Sequence, residues 1–171
     1  SLFEPKSVAV IGASERENSV GSIIFKNILD AGYKGRLYAI NPKHETIHGV
    51  QAHASIEEIG ARVELAVICT RPQTVPAIVE QCGRSGIKNV IVITAGFAEA
   101  GHSGAALERK MLEIARSYNV RVLGPNCLDI IRPTLGLNAT FAKVTANAGN
   151  LALVSQSGAM CSAVLDWAKA N

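Results

Sequence analysis

The fold is decided by the stretch SVAVIGASERENSVGSIIFKNIL, which runs from Ser7 to Leu29. It opens with a continuous apolar run that ends at Gly12, as expected for a strand buried on both faces of a sheet. A polar loop follows, and from Ser19 onward helical spacing places Val20, Ile23, Ile24, Ile28 and Leu29 on one apolar face. Gly32 then follows, a residue suited to ending a helix. This order of strand, loop and helix predicts the first unit of a nucleotide-binding α/β domain.

The same alternation continues along the chain. Further apolar runs predict strands, and the amphipathic stretches between them predict helices. These runs are RLYAIN (Arg36 to Asn41), LAVICT (Leu65 to Thr70), NVIVIT (Asn89 to Thr94) and VRVLGPN (Val120 to Asn126). We therefore expect an α/β fold, a Rossmann-like doubly wound parallel sheet with its ligand at the carboxyl ends of the strands.

Composition narrows the class of ligand. The 171 residues are 48% hydrophobic, which permits a sizeable core, and the formal net charge is +3. A charge this small, with no basic run, argues against a nucleic-acid surface and suits a small anionic ligand. Apolar runs of five or six residues are far too short for a membrane-spanning helix, so we expect no membrane association.

Cysteine and histidine spacings give no metal motif. The chain has four widely separated cysteines without a C-x-x-C pair: Cys69, Cys82, Cys127 and Cys161. Three lie in or beside apolar runs, which favours reduced, buried cysteines and a cytoplasmic location. His44, His48 and His53 lie close together in the sequence but lack a fourth ligand, so no metal site is predicted.

The first loop has the chemistry of a phosphate site. A helix amino terminus attracts anions, and Gly12 permits close backbone approach. Ala13 keeps the loop small, while Ser14 and Ser19 add hydroxyl groups. Because Ser14 stands where the G-x-G-x-x-G pattern has its second glycine, the loop alone is compatible with NAD, NADP, FAD or any other pyrophosphate.

The tip of the second strand restricts that choice. A typical NAD site has an acidic residue there for the ribose hydroxyls, whereas this strand ends in Asn41, Pro42 and Lys43. A lysine near the adenosine end favours a ribose that carries a phosphate, although it could also be a solvated turn residue. NADP has that phosphate on the 2′ oxygen and coenzyme A (CoA) has it on the 3′ oxygen.

The regular pattern lapses after residue 132. Residues 133–150 are mixed and irregular, and residues 151–171 predict a strand, a turn and a helix. This last unit is either a sixth strand of the same sheet or the truncated start of a second domain. The long connection favours a second domain. The predicted organisation is a domain over 1–132, a linker over 133–150 and a new domain from 151.

Several motifs together resemble one family. They are SVAVIGASERENSVG, INPKH, LAVICTRPQTVP, VITAGFAE, LGPNC and LALVSQSGAMCSAVLDWA. In this order and spacing they resemble the CoA-binding domain of NDP-forming acyl-CoA synthetases, relatives of the succinyl-CoA synthetase α subunit. The likeness covers nearly the whole chain. LAVICTRPQTVPAIV and GLNATFA are most similar to bacterial chains that join the synthetase modules to a GNAT acetyltransferase domain.

The resemblance implies a CoA site made of loops at the strand ends. Gly12, Ala13, Ser14 and the following loop to Val20 would cradle the pyrophosphate. Asn41, Pro42 and Lys43 would meet the adenosine phosphate end. Thr70, Arg71 and Pro72 would line the third strand tip. Ile93, Thr94 and Ala95 would lie beside the pantetheine arm. The final strand turn would be formed by Gly124, Pro125, Asn126 and Cys127.

The chain departs from the family pattern at one point. Succinyl-CoA synthetases resemble T-E-G where this chain has Thr94-Ala95-Gly96, so the glutamate that would contact CoA is missing here. Glu99 is the candidate to replace its carboxylate.

The resemblance also implies that the carboxyl-terminal unit, residues 151–171, is the start of a flavodoxin-like domain. Ser155, Ser157 and Gly158 would belong to the loop that receives a phosphorylated histidine, although a serine here is also an ordinary helix cap. The family's phosphorylated histidine lies beyond Asn171, so none of the four histidines inherits its role and no catalytic residue is predicted. ATP and Mg²⁺ would bind only through an ATP-grasp module that this sequence does not contain.

The predicted function is the CoA- or acyl-CoA-binding portion of an acyl-CoA synthetase. In the complete enzyme, acid, CoA and ATP would give acyl-CoA, ADP and phosphate through a phosphohistidine. One alternative is a CoA-sensing domain of a GNAT-type protein lysine acetyltransferase without ligase activity. Another is an NADP-binding oxidoreductase domain. The expected partners are CoA and the remaining synthetase domains, with a homo-oligomer as a further possibility and no nucleic acid.

Overall fold

The computed structural model describes residues 1–170 of the chain, with side chains through residue 168. Its strands are β1 Ser7–Ile11, β2 Arg36–Ile40, β3 Thr46–Ile47, β4 Val50–His53, β5 Leu65–Ile68, β6 Asn89–Val92, β7 Arg121–Leu123, β8 Ile131–Arg132 and β9 Leu137–Asn138. Its helices are α1 Val20–Asp30, α2 Val75–Arg84, α3 His102–Ser117 and α4 Gly158–Ala170. Short 3-10 turns join several of these elements.

A seven-stranded sheet in the order β3-β4-β2-β1-β5-β6-β7 organises the chain. All neighbours are parallel except β3, which is antiparallel to β4. Ile11 pairs with Ile40 on one side and Ile68 on the other, and Ile68 pairs with Val92. The carboxyl ends of four strands therefore form one straight edge. The predicted Rossmann-like parallel sheet is confirmed.

Both faces of the sheet are covered, which explains why its strands are uniformly apolar. On one face, alternate residues of β1, β5 and β6 pack against Val79 and Cys82 of α2 and Met111 of α3. On the other face, the intervening residues pack against Phe25 and Ile28 of α1. The side chains of β1 are all buried. The core therefore consists of two apolar layers that share the central strands.

Helix α1 packs on the sheet through a face shifted from the predicted one. The buried positions are Gly21, Ser22, Ile24, Phe25 and Ile28. Val20, predicted to face the core, is 41% exposed because the helix has only just begun there. A Cβ atom on Gly21 would collide with the carbonyl oxygen of Gly12. The glycine thus lets the start of α1 lie directly against the loop that follows β1.

Two short hairpins were not predicted, because strands of two to four residues are too short to show a clear periodicity. The first joins β3 and β4 at the sheet edge beside β2. The second pairs β8 with β9, and Leu137 and Ala139 are buried against the α1 side of the core. The side-chain amide of Asn27 in α1 donates hydrogen bonds to the carbonyl oxygens of Thr140 (2.7 Å) and Ala142 (3.0 Å). Residues 137–142 are therefore attached to α1.

The strand predicted at the start of the carboxyl-terminal unit does not form. Residues 151–154 have no regular secondary structure, and Leu151 and Val154 are 100% and 95% exposed. A strand needs a neighbour for its backbone hydrogen bonds, and none of the strands within residues 1–170 pairs with this segment. The helix predicted after it is present as α4.

No helix in the described part of the chain has the length and apolar character required to cross a membrane.

Candidate functional site

A cavity of about 380 Å³ opens at the carboxyl edge of the sheet. It lies where the chain, after building β2 to β4 on one side of β1, crosses to β5 on the other side. Ligands of open α/β sheets bind at such a switch in strand order. The lining residues come from the ends of β1, β2 and β5 and the start of α1: Gly12, Ser14, Arg16, Ser19, Val20, Gly21, Asn41, Cys69, Thr70 and Arg71.

The loop between β1 and α1 forms one wall of this cavity. Gly12 has a φ of +89°, a conformation that residues with a β-carbon rarely adopt. The Arg16 backbone N–H donates to Ser14 Oγ at 3.0 Å, and the Ser19 N–H donates to the Arg16 carbonyl at 3.1 Å. These bonds close a tight polar loop in which Ser14 and Arg16 face the cavity.

The amino terminus of α1 forms the next wall. Ser19 caps the helix, because its Oγ accepts a hydrogen bond from the Ser22 N–H at 3.3 Å. Val20 and Gly21, the first two helical residues, line the cavity. The first turn contains no acidic side chain, so the positive end of the helix dipole is left for an anionic ligand.

Two arginines, Arg16 and Arg71, also line the cavity and add positive charge to that of the helix amino terminus. Within residues 1–170 neither is ion-paired with a protein carboxylate. Planar guanidinium groups bind phosphate oxygens in a bidentate manner. Arg71 was predicted individually, and Arg16 only as part of the loop from Ser14 to Val20. The available signal was an arginine inside the polar loop between a buried strand and a helix.

Six of the predicted cofactor-binding residues meet at the cavity: Gly12, Ser14, Val20, Asn41, Thr70 and Arg71. The cavity lining does not include the other eight: Ala13, Pro42, Lys43, Pro72, Ile93, Thr94, Ala95 and Asn126. The side chains of Ala13 and Ile93 are buried in the core, so only their backbone groups face the sheet edge. Cys69 and Gly21 line the cavity but were not predicted.

Asn41 ties the first loop to the tip of β2. Its side-chain amide donates to the carbonyl oxygen of Ala13 at 2.8 Å, and its Oδ1 accepts the Lys43 N–H at 2.9 Å. The residue therefore holds two of the predicted ligand-binding segments together. Lys43 itself is exposed at this tip, free to reach a group outside the cavity.

Further bonds join the tips of β5, β6 and β7. Thr94 Oγ1 donates to the Thr70 carbonyl at 2.7 Å, and the Asn126 N–H donates to the Thr94 carbonyl at 3.1 Å. Glu99, the candidate replacement carboxylate, accepts the Gly96 N–H at 2.6 Å. That hydrogen bond lowers the pKa of Glu99 below its usual value. Glu99 thus serves as an ionised acceptor for its own loop.

The predicted phosphate loop before α4 lies apart from this cavity. Ser157 Oγ accepts the Met160 N–H at 3.2 Å, which is the geometry of a helix cap, and Ser155 Oγ accepts the Ser157 N–H at 3.0 Å. Gly158 is the first residue of α4. In the structure, Ser157 therefore acts as an ordinary helix cap. Phosphate binding at Ser155, Ser157 and Gly158 stays a prediction.

A buried acidic residue lies beside the two cysteines of the sheet edge. Burial raises the pKa of Cys127 to about 12 and also raises the pKa of Cys69, and the Asp129 carboxylate adds to both increases. Asp129 has a φ of +101°, and among the described residues neither of its buried carboxylate oxygens has a hydrogen-bond partner. Burial raises the pKa of Asp129 well above its ordinary value, and the nearby Ile130 N–H offsets little of this.

Across residues 1–170, the histidine, cysteine and acidic side chains form no group of three that could hold a metal ion.

The fold and the cavity define a nucleotide-binding domain of the Rossmann type. Residues 6–133 match the family described as CoA binding domain, and the chain belongs to that family.

Known relatives are longer proteins. The chain is 46% identical over 170 residues to acetate–CoA ligase [ADP-forming] I of Archaeoglobus fulgidus, covering 99% of this chain and 24% of that protein. It is 41% identical over 171 residues to the α subunit of acetate–CoA ligase [ADP-forming] I of Pyrococcus furiosus, covering 98% and 37%. The chain thus spans only 24% and 37% of the length of these two curated relatives.

A solved structure agrees with this placement. Acetyl-coenzyme A synthetase 1 of Ca. Korarchaeum cryptofilum, in complex with phosphate and ADP, superimposes with a TM-score of 0.92 at 37% identity. The match covers 97% of this chain and 35% of that chain. The match extends beyond residue 133, so it includes much of the carboxyl-terminal unit as well as the sheet.

Proposed function

We propose that this chain is the CoA-binding portion of an ADP-forming acyl-CoA synthetase. The observation that carries the proposal is the cavity at the carboxyl edge of the sheet, where two arginines, two serines and a helix amino terminus converge. Neither arginine is ion-paired within the described residues. Such a set of donors suits a pyrophosphate. Because the chain belongs to the CoA binding domain family, the pyrophosphate is that of CoA or acyl-CoA.

The geometry suggests how CoA lies along the sheet edge. Its pyrophosphate would occupy the cavity between Gly12 and Arg71, and the adenosine phosphate would extend toward Lys43 at the tip of β2. The pantetheine arm would run the other way, over the linked tips of β5, β6 and β7 near Thr94 and Asn126. The chain's own residues would bind and orient CoA while its thiol reacts elsewhere.

The complete enzyme would convert an acid, CoA and ATP into acyl-CoA, ADP and phosphate. Relatives named as acetate–CoA ligases and as α subunits support further synthetase modules or subunits as partners. One of these partners would bind the ATP and Mg²⁺ that the reaction requires. The domain division at 132 and 150, the phosphate role of Ser155 and Ser157, a homo-oligomer and a cytoplasmic location remain parts of this proposal. The comparisons lend no support to an acetyltransferase or an oxidoreductase.

The first prediction concerns ligand choice. Calorimetric titration of the domain should show binding of CoA and no binding of NAD, because the tip of β2 has no acidic residue for the ribose hydroxyls. Titration with acetyl-CoA should also show binding. Comparable affinity for NAD, or absence of CoA binding, would refute the proposed ligand.

The second prediction concerns the 3′-phosphate of CoA and Lys43. Dephospho-CoA should bind more weakly than CoA, and Lys43→Ala should reduce that difference severalfold, as expected for an exposed charge pair worth up to about 1 kcal/mol. Lys34→Ala is the matched control, since Lys34 is also an exposed lysine and lies near the opposite end of β2. If Lys43→Ala leaves the difference between the two ligands intact, Lys43 does not bind the 3′-phosphate.

A further inference from the structure

One of the three clustered histidines contacts the wall of the cavity from outside. His48 Nε2 lies 3.2 Å from the Oγ of Ser22 in the first turn of α1. The His48 backbone N–H donates to the Glu15 carboxylate at 2.7 Å. Its ring also stacks on Phe25, with the ring centroids 6.3 Å apart. A single residue thus touches the β1–α1 loop, the start of α1 and the core side of that helix.

The position of His48 in its own turn is unusual. His48 and Gly49 form the two-residue turn between β3 and β4, with φ values of +49° and +76°. Such turns require positive φ at both positions and favour asparagine followed by glycine. A histidine has no advantage over asparagine for the turn itself. Its advantage lies in the length of its ring, which reaches Ser22 and Phe25.

The contact with Glu15 matters for the charge of the cavity. Ser14 and Arg16 line the cavity, whereas Glu15 between them does not. A carboxylate turned toward a bound pyrophosphate would repel it, and the repulsion would be strong at short range. By accepting the His48 N–H, the Glu15 carboxylate is fixed on the outer side of the loop.

We propose that His48 is a positioning residue for CoA binding, in which the β3–β4 hairpin holds the β1–α1 loop in its binding-ready shape. The ring fixes the first turn of α1 through Ser22, and the backbone N–H keeps the Glu15 carboxylate away from the phosphates. This inference rests on the proposed function. A loop that is already ordered before binding loses less freedom when the ligand arrives, which increases affinity.

The test is the variant His48→Asn. Asparagine suits the positive φ and keeps the backbone N–H, so the turn should survive, but its side chain is too short to replace the ring. CoA affinity measured by calorimetry should fall about tenfold, with little change in Tm. In the ligand-free protein, the NMR amide signals of residues 14–19 should broaden, which a purely structural role elsewhere in the hairpin would not cause.

His53→Asn is the matched control. His53 belongs to β4 of the same hairpin, but its ring packs edge-on against Tyr38 at 6.0 Å, away from the loop. This variant should keep wild-type CoA affinity and sharp amide signals for residues 14–19. An equal loss of affinity in His53→Asn would overturn the positioning role, because it would show that any change in the hairpin weakens binding.

Ser22→Ala tests the same contact from the helix side. It should reduce affinity to a similar extent, and the double variant with His48→Asn should lose little more than either single variant. Fully additive losses, or wild-type affinity in both single variants, would overturn the positioning role. Failure of the wild-type domain to bind CoA would instead refute the proposed function, so the two failures are distinguishable.

Discussion

A valine in place of Gly12 is expected to abolish CoA binding. The backbone at Gly12 has a φ of +89°, and a Cβ atom there would lie 3.0 Å from both the Cys69 carbonyl oxygen and Thr70 Cγ2. Valine would therefore push the β1–α1 loop away from β5 and displace Ser14 and Arg16 from the cavity. We also expect the free energy of unfolding to fall by about 1–3 kcal/mol, from backbone strain and overpacking.

Gly86→Val separates the loss of binding from the loss of stability. Gly86 has a similar φ of +76°, but a Cβ atom there would meet no atom within 4 Å. It precedes β6 and so lies at the edge of the sheet opposite the cavity. This control should lose some stability, measured as Tm, and keep its CoA affinity. If Gly12→Val binds CoA as the wild type does, the pyrophosphate does not lie on this loop.

Replacing Asp129 by glycine should stabilise the domain. Glycine removes a buried carboxylate whose two oxygens have no hydrogen-bond partner in the part of the chain that the structure describes, and it relieves a residue held at a φ of +101°. An unsatisfied buried polar group costs about 1–3 kcal/mol, more when it is charged. A gain of that size corresponds to a rise in Tm of roughly 2–4 °C per kcal/mol for a chain of this length. Thermal unfolding at neutral pH measures it directly.

The pH dependence of the free energy of unfolding tests whether the Asp129 carboxylate causes this loss of stability. In the unfolded chain, Asp129 has its ordinary pKa near 3.8 and loses its proton above that pH. In the folded domain the pKa of Asp129 is raised, so the carboxyl group keeps its proton to a higher pH. Wild-type stability relative to Asp129→Asn should therefore fall as the pH rises from about 4 through the folded pKa. A pH-independent difference would mean that backbone strain alone matters.

The sheet could be predicted from the sequence because its strands are continuous apolar runs that must be buried on both faces. The loop glycine and Arg71 could be predicted because residues that follow such strands gather at one edge. Arg16 was included only as part of the loop up to Val20, because loop side chains carry no periodic signal that singles one of them out. The strand expected at residues 151–154 has the right apolar composition, but composition cannot supply the neighbouring strand that its backbone needs. The destabilisation caused by the buried Asp129 carboxylate likewise depends on long-range packing, which the local sequence does not reveal.

The lengths of the outermost strands of the sheet bear on how the domain behaves at high concentration. The two edges of the sheet are β3, with two residues, and β7, with three residues. An edge strand exposes unpaired backbone groups that can template pairing with another molecule, and short edges are one way in which proteins limit this. With so little exposed backbone at either end, the sheet offers poor templates for edge-to-edge aggregation.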